Sequence, residues 1–314
     1  MLKKILLYST AVVLLSLLAL YLISLPRSLD ASVIPQHPVD LKNGENLFWA
    51  GGCASCHAQK EARGKARLML GGGVELETPF GVFIAPNIST HPTAGIGSWS
   101  TLEFIDAMVN GVSPDRTHYF PAFPYPNYRS MPTTDLIDLK AFLDSLPPVS
   151  STTQDHRLHF PFNIRAAVGV WKLLYLNSET FSPRPGVQAA VERGRYLVNG
   201  PGHCGACHTP RDLFGGEIPE RLLAGARSLE TSNSTKTPKS ERIPNITPHA
   251  EDGIGKWSVK DIAYSLESGF NPDFDSFGGS MVEVQENMAR LAASDRLAIA
   301  HYLKSIPALP SASD

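Results

Sequence analysis

Two five-residue stretches carry the chemistry of this chain: Cys53-Ala54-Ser55-Cys56-His57 and Cys204-Gly205-Ala206-Cys207-His208. In each, two cysteines are separated by two residues and a histidine directly follows the second. On one helical turn such thiols can reach the two vinyl groups of a single porphyrin and form thioethers, and the adjacent imidazole can take the iron from one side. A Cys-x-x-Cys pair alone also suits a thiol redox couple or half a zinc site. The redox couple has no need of the histidine, and a zinc site built from all four thiols would leave both histidines idle. The chain has 4 cysteines, and the two motifs use all of them. The spacing therefore predicts two covalent haem c groups, attached at Cys53, Cys56, Cys204 and Cys207, with His57 and His208 as proximal iron ligands.

An iron held by one imidazole needs a sixth ligand or keeps an open position, and this choice separates electron carriers from enzymes. Besides Met1, the methionines are Met69, Met108, Met131, Met281 and Met288. In the second half Met281 follows the flexible run Phe277-Gly278-Gly279-Ser280, whereas Met288 follows the polar run Gln285-Glu286-Asn287, which reads as surface or the start of a helix. Met281 is preferred. In the first half Met131 lies 150 residues before Met281, just ahead of the last helix of its copy. Met108 belongs to a helical apolar stripe, where methionine is ordinarily core filler, and Met69 lies in the loop after the first motif. Met131 is preferred there, with His118 as the rival that is not a methionine. A thioether ligand raises the potential relative to imidazole.

These residues must be positioned by something, and the chain supplies the same frame twice. Gly44-Glu45-Asn46-Leu47-Phe48, Pro86-Asn87-Ile88, Gly95-Ile96-Gly97-Ser98-Trp99 and Phe142-Leu143-Asp144-Ser145-Leu146-Pro147 recur in order. Their counterparts are Gly194-Arg195-Tyr196-Leu197-Val198, Pro244-Asn245-Ile246, Gly253-Ile254-Gly255-Lys256-Trp257 and Tyr302-Leu303-Lys304-Ser305-Ile306-Pro307. The offsets are 151 at the first cysteines, 158 at the tryptophans and 160 at Leu143 and Leu303. Two equivalent domains, 42–149 and 188–308, follow. Each reads as mainly α: a helix entering the motif, a Gly- and Pro-rich loop, an amphipathic helix capped by Ser100 or Ser258, and a last helix from near Thr133 or Ser294. Strands find little support.

Four weaker signals recur with the frame. Trp99 and Trp257 are either core anchors beneath the loop or indole N–H donors to a haem propionate. Asn87 and Asn245 either organise the loop against the haem edge or make simple Asx turns.

The remaining segments set location. Residues 5–24 hold no charge, enough to cross a bilayer as one helix, and Lys3 and Lys4 precede them. A cleavable signal peptide is the alternative, but no convincing small-residue cleavage site follows. The reading is an uncleaved anchor over 1–25 with the lysines cytoplasmic and the rest outside, which suits c-type attachment after export. Residues 26–41, with three prolines, read as an extended tether lifting the first domain off the membrane. Residues 150–187 form a linker whose apolar run from Ala166 to Leu176 predicts an interdomain helix or a partner-docking surface, 228–242 read as a surface loop, and 309–314 as a tail. The formal charge of −2, or −4 without Lys3 and Lys4, and the absence of a basic cluster argue against nucleic-acid binding.

With these residues in view, the chain resembles the membrane-anchored diheme class I cytochromes c that serve bacterial periplasmic alcohol, aldehyde and gluconate-type dehydrogenases as electron-transfer subunits. The resemblance rests on the run from Gly194 to Cys204, on His208-Thr209-Pro210-Arg211, on Leu76-Glu77-Thr78-Pro79-Phe80-Gly81, on Tyr119-Phe120-Pro121-Ala122-Phe123-Pro124-Tyr125 and on Gly278-Gly279-Ser280-Met281. It implies two tandem class I cytochrome c domains after one transmembrane helix, His57 and His208 as proximal ligands, Met131 and Met281 as distal ones, and a dehydrogenase or other redox protein as partner. It implies transfer of electrons to quinone or a terminal oxidase, without substrate chemistry. Two rivals fit the same residues: a tethered shuttle between a cytochrome bc complex and an oxidase, and an enzyme such as a diheme peroxidase or thiosulfate-oxidising cytochrome, which needs an open iron.

Overall fold

In a computed structural model, residues 1–176, 179–228 and 242–311 are described. The run 228–242 lies outside them except at its two ends. Helix α1 (Leu2–Ile23) buries none of its residues, and it is the one helix among those described that is long and apolar enough to cross a membrane.

The first helical unit contains α2 (Leu41–Ala50), α3 (Cys53–His57), α4 (Thr101–Asn110), α5 (Tyr125–Tyr128) and α6 (Thr133–Asp144). The second contains α8 (Ala189–Asn199), α9 (Gly205–His208), α10 (Val259–Ser268), α11 (Met281–Met288) and α12 (Ala293–Ser305), with α7 (Arg165–Tyr175) between the units. Ser100 and Ser258 start α4 and α10 as expected, each in a capping box with Glu103 or Asp261. In both units the first and last helices cross at a glycine. A Cβ on Gly44 would lie 2.2 Å from the Asp138 carbonyl oxygen, and one on Gly194 would lie 1.9 Å from that of Ala298. Only glycine permits backbones this close. One cluster of buried apolar side chains runs through both units, including Phe48, Ile105, Leu139, Leu197, Ile262 and Ile299.

Two expectations change. Short strands exist: β1 (Glu75–Thr78), β2 (Gly81–Ile84) and β3 (Arg157–Leu158) form an antiparallel sheet in that order, and β4 (Ala226–Arg227) pairs with β5 (Arg242–Ile243). At two to four residues these strands are too short to show alternation in sequence. The tether does not lift the first unit away from α1. Arg116 donates to Ser28 Oγ at 2.6 Å and to the Pro26 carbonyl at 3.2 Å, and His37 and the Asp40 amide both bond Asp138. The segment packs along the unit because its polar groups find partners there.

Helix α7 ties these parts together. The Lys172 ammonium donates to the carbonyls of Asn110 and Gly111, at 2.6 and 2.7 Å, where α4 ends. It also bonds His118 Nδ1 at 3.0 Å. Burial pushes Lys172 down to about 7, against the attraction of Asp106. An unfolded lysine titrates near ~10.4, so between about pH 7 and that value the unfolded chain holds a proton that the folded chain does not, and stability rises with pH. Urea unfolding should show this slope, up to ~1.4 kcal/mol per pH unit, and Lys172→Met should flatten it. Equal slopes in the two proteins would refute it.

Candidate haem sites

Helix α3 begins after Gly52, which sits in the left-handed region at φ 59°, and the second motif turns from Cys204 into α9. None of the four cysteines is in a disulfide. Burial, reinforced by the neighbouring thiol, pushes Cys53 and Cys204 each up to about 12. Such thiols are not thiolates at neutral pH, which argues against a redox couple. Among the described residues no group of His, Cys, Asp and Glu gathers in the way a bare metal ion requires.

Each motif histidine is oriented by one backbone carbonyl. His57 Nδ1 donates to Pro86 O at 2.7 Å, and His208 Nδ1 donates to Pro244 O at 2.8 Å. With Nδ1 carrying the proton, Nε2 keeps the lone pair that binds iron. Burial lowers both imidazoles from their ordinary range, favouring the neutral form that ligates. Two thiols three residues apart on a turn beside an imidazole with a fixed tautomer fit a haem c.

The asparagines hold the loops that provide those carbonyls. Buried Asn87 accepts from the Ser89 amide and donates to Val149 O and Ser151 O; Asn245 accepts from the Thr247 amide and donates to Leu309 O. Each side chain thus makes an Asx turn and pins the segment that follows the last helix onto the loop. Trp99 and Trp257 are half-buried against the core, and neither indole N–H has a protein acceptor among the described residues.

Sequence reading missed Gly72 and Gly225. Their amides donate to the carbonyls of His57 and His208, each at 2.8 Å. Gly72 has φ +70°, and a Cβ there would sit 2.5 Å from the Pro86 carbonyl carbon. The signal was present as Leu70-Gly71-Gly72 and Leu223-Ala224-Gly225, whose leucines are fully buried. Gly72→Ala should destabilise the chain by about 2–4 kcal/mol, because it combines left-handed strain with a backbone clash. Chemical denaturation checks this, and a loss below ~1 kcal/mol would show that the loop yields.

The candidate distal ligands are placed differently from one another. Met131 is buried between α5 and α6; Met281 is the half-buried first residue of α11, and Met288 its buried last residue. Met108 lies on the buried face of α4, whereas Met69 is exposed. The last helices begin after Pro132 and Ala292, so the register there is 160. Met131 therefore aligns with Leu291, and Met288 with the core residue Tyr128. The 150-residue match of Met131 to Met281 is not kept, because α11 has 8 residues and α5 has 4. His118 has both ring nitrogens engaged, Nε2 with Ser24 O at 2.8 Å and Nδ1 with Lys172.

The two motif segments meet. His203, next to Cys204, places Nε2 3.4 Å from the Gly51 carbonyl and stacks edge-on against Tyr128. Asn287 donates to Ser55 Oγ, inside the first motif, at 2.7 Å and accepts from Arg67 at 2.6 Å, while Arg67 also pairs with Glu286 at 2.8 Å. The run Gln285-Glu286-Asn287 is thus no simple surface: Asn287 is fully buried. Ser55 and Arg67 lie more than 200 residues away, so local pattern could not reveal this joint.

Comparison with known proteins agrees with this geometry. Residues 41–147 match the cytochrome c family model. The chain is 48% identical over 270 residues to a diheme cytochrome c-type protein of Cereibacter sphaeroides, covering 86% of this chain and 87% of that one. It is 34% identical over 272 residues to the cytochrome c subunit of the quinone alcohol dehydrogenase of Gluconacetobacter polyoxogenes. It is 33% identical over 271 residues to the gluconate 2-dehydrogenase cytochrome c subunit of Pantoea cypripedii. These alignments cover 86% and 85% of this chain but only 56% and 60% of those relatives. The chain belongs to the c-type cytochromes, mainly α proteins with covalently bound haem c. Its role is electron transfer, not substrate turnover.

Proposed function

We propose that this chain carries two haem c groups on a single-pass anchor in the bacterial inner membrane, with both helical units in the periplasm, and relays electrons from a periplasmic dehydrogenase to quinone or a terminal oxidase. The duplicated motif carries the reading, since each imidazole is locked to a carbonyl by the same loop. The relatives named as alcohol and gluconate dehydrogenase subunits support the choice of partner. When bound, haem c supplies reversible one-electron chemistry at iron.

In this reading the chain's residues serve position and ligation. Cys53, Cys56, Cys204 and Cys207 would hold the groups, and His57, His208, Met131 and Met281 would ligate the irons. Asn87 and Asn245 fix the loops that aim the histidines, and Trp99 and Trp257 would offer indole N–H groups to the haem propionates. An iron ligated by both a histidine and a methionine would have no open position for a substrate.

A pyridine haemochrome assay on the purified full chain should give two covalent haems. The double variant Cys204→Ala/Cys207→Ala should give one. Fewer than two in the parent chain defeats the proposal, and carbon monoxide binding to the native reduced protein would favour an enzyme with an open iron.

A further inference from the structure

Helix α7 is amphipathic in the wrong sense for a helix covering a water-soluble surface. Its inward side carries Val168, Gly169 and Lys172, all buried. Its outward side carries Ala166, Ala167, Leu173 and Leu174, with the two leucines 47% and 58% exposed. A helix on an ordinary surface turns its charge outward and its leucines in. Just before it, Phe160, Phe162 and Ile164 are also exposed, Phe160 at 80%.

The position of this face identifies what covers it. Gly169 lets the end of α1 come within backbone contact, since a Cβ there would lie 2.2 Å from Ser24 O. His118, bonded to Lys172 beneath α7, donates to the same carbonyl. The exposed apolar face is therefore continuous with the wholly unburied α1, at the end where α1 would leave a bilayer. On its far side α7 holds a loop of the second unit: Trp171 donates to Phe214 O at 3.0 Å and Tyr175 to Asp212 at 2.7 Å. That loop exposes Leu213 fully and Phe214 at 73%.

We infer that α7 and the turn at Phe160–Ile164 lie in the lipid headgroup layer beside the anchor, so that the membrane is held at two points and the orientation of both helical units against it is set. The partner is a phospholipid surface, recognised through apolar area at the acyl boundary. Arg165, at the edge of the face, stacks its guanidinium over the Phe120 ring, 4.9 Å from the centroid, and bonds His118 O, so its charge is met within the protein. The inference rests on α1 being the anchor.

The test is photo-crosslinking of the purified full chain in phosphatidylcholine vesicles containing a phosphatidylcholine with a diazirine on its acyl chain, with adducts mapped by mass spectrometry. Adducts are expected on α1 and on 160–175. The variant Leu173→Glu/Leu174→Glu, which changes only exposed positions, should lower the adducts on α7 by about tenfold while leaving haem content unchanged. Adducts confined to α1 overturn the proposal but keep the anchor, and adducts at neither place overturn both. Adducts on 160–175 without α1 remove the anchor and overturn the two-point contact with it. A chemically cross-linked dimer through α7 in the same vesicles would show that a second copy covers this face, and would also overturn the proposal.

Discussion

A Gly194→Val chain is expected to lose the folded second unit while retaining the first. The Cβ of any residue at 194 would sit 1.9 Å from Ala298 O, 2.5 Å from its carbonyl carbon and 2.7 Å from Tyr302 Cβ. Ordinary contact between such atoms is near ~3.5 Å, so α8 and α12 must separate by more than an ångström. Two of the three obstacles are backbone, and no rotamer change removes them. Separation opens the packing of Tyr196, Leu197 and Val198 against Ile299, Tyr302 and Leu303, all buried. A cost above ~4 kcal/mol is expected, a large part of the ~5–15 kcal/mol that holds a typical domain. Helix α8 runs directly into Cys204, so the covalent haem proposed for the second motif should be lost while that of the first is kept. Circular dichroism melts and the haemochrome assay read the two effects, and a parent-like melt would show that the crossing can yield. Gly44→Val, at 2.2 Å from Asp138 O, should do the same to the first unit.

The second large effect concerns the proposed distal ligands, Met131 and Met281. Met131→His and Met281→His should each lower one of two midpoint potentials, by on the order of 0.2 V within the ~0.8 V that axial ligands span. Met288→His should leave both potentials in place and instead cost about 2 kcal/mol of stability, because it puts a polar ring where a buried thioether packs. The reason lies in register. Met288 occupies the place that Tyr128, a core residue, occupies in the first unit, whereas Met281 opens the longer α11 that only the second unit has. Spectroelectrochemical titration of the three variants decides. If Met288→His moves a potential and Met281→His does not, the assignment reverses.

The two Cys-x-x-Cys-His motifs, the duplication and the apolar first helix were legible from residues alone. Each is a local constraint: thioether chemistry needs five consecutive residues, and a bilayer-length helix needs an uninterrupted apolar run. The caps at Ser100 and Ser258 were legible for the same reason, as their partners lie three residues on. Other features exist only once the chain is folded. Gly72 and Gly225 matter because loops from elsewhere pass within backbone contact of them. Asn287 is a joint between the motifs because Arg67 and Ser55 reach it from over 200 residues away. The apolar run from Ala166 was visible as a run, yet which side of α7 faces out is set by Lys172 turning inward to the end of α4. Spacing along a chain reports chemistry between neighbours, whereas burial and the facing of a helix depend on contacts that only the tertiary fold creates.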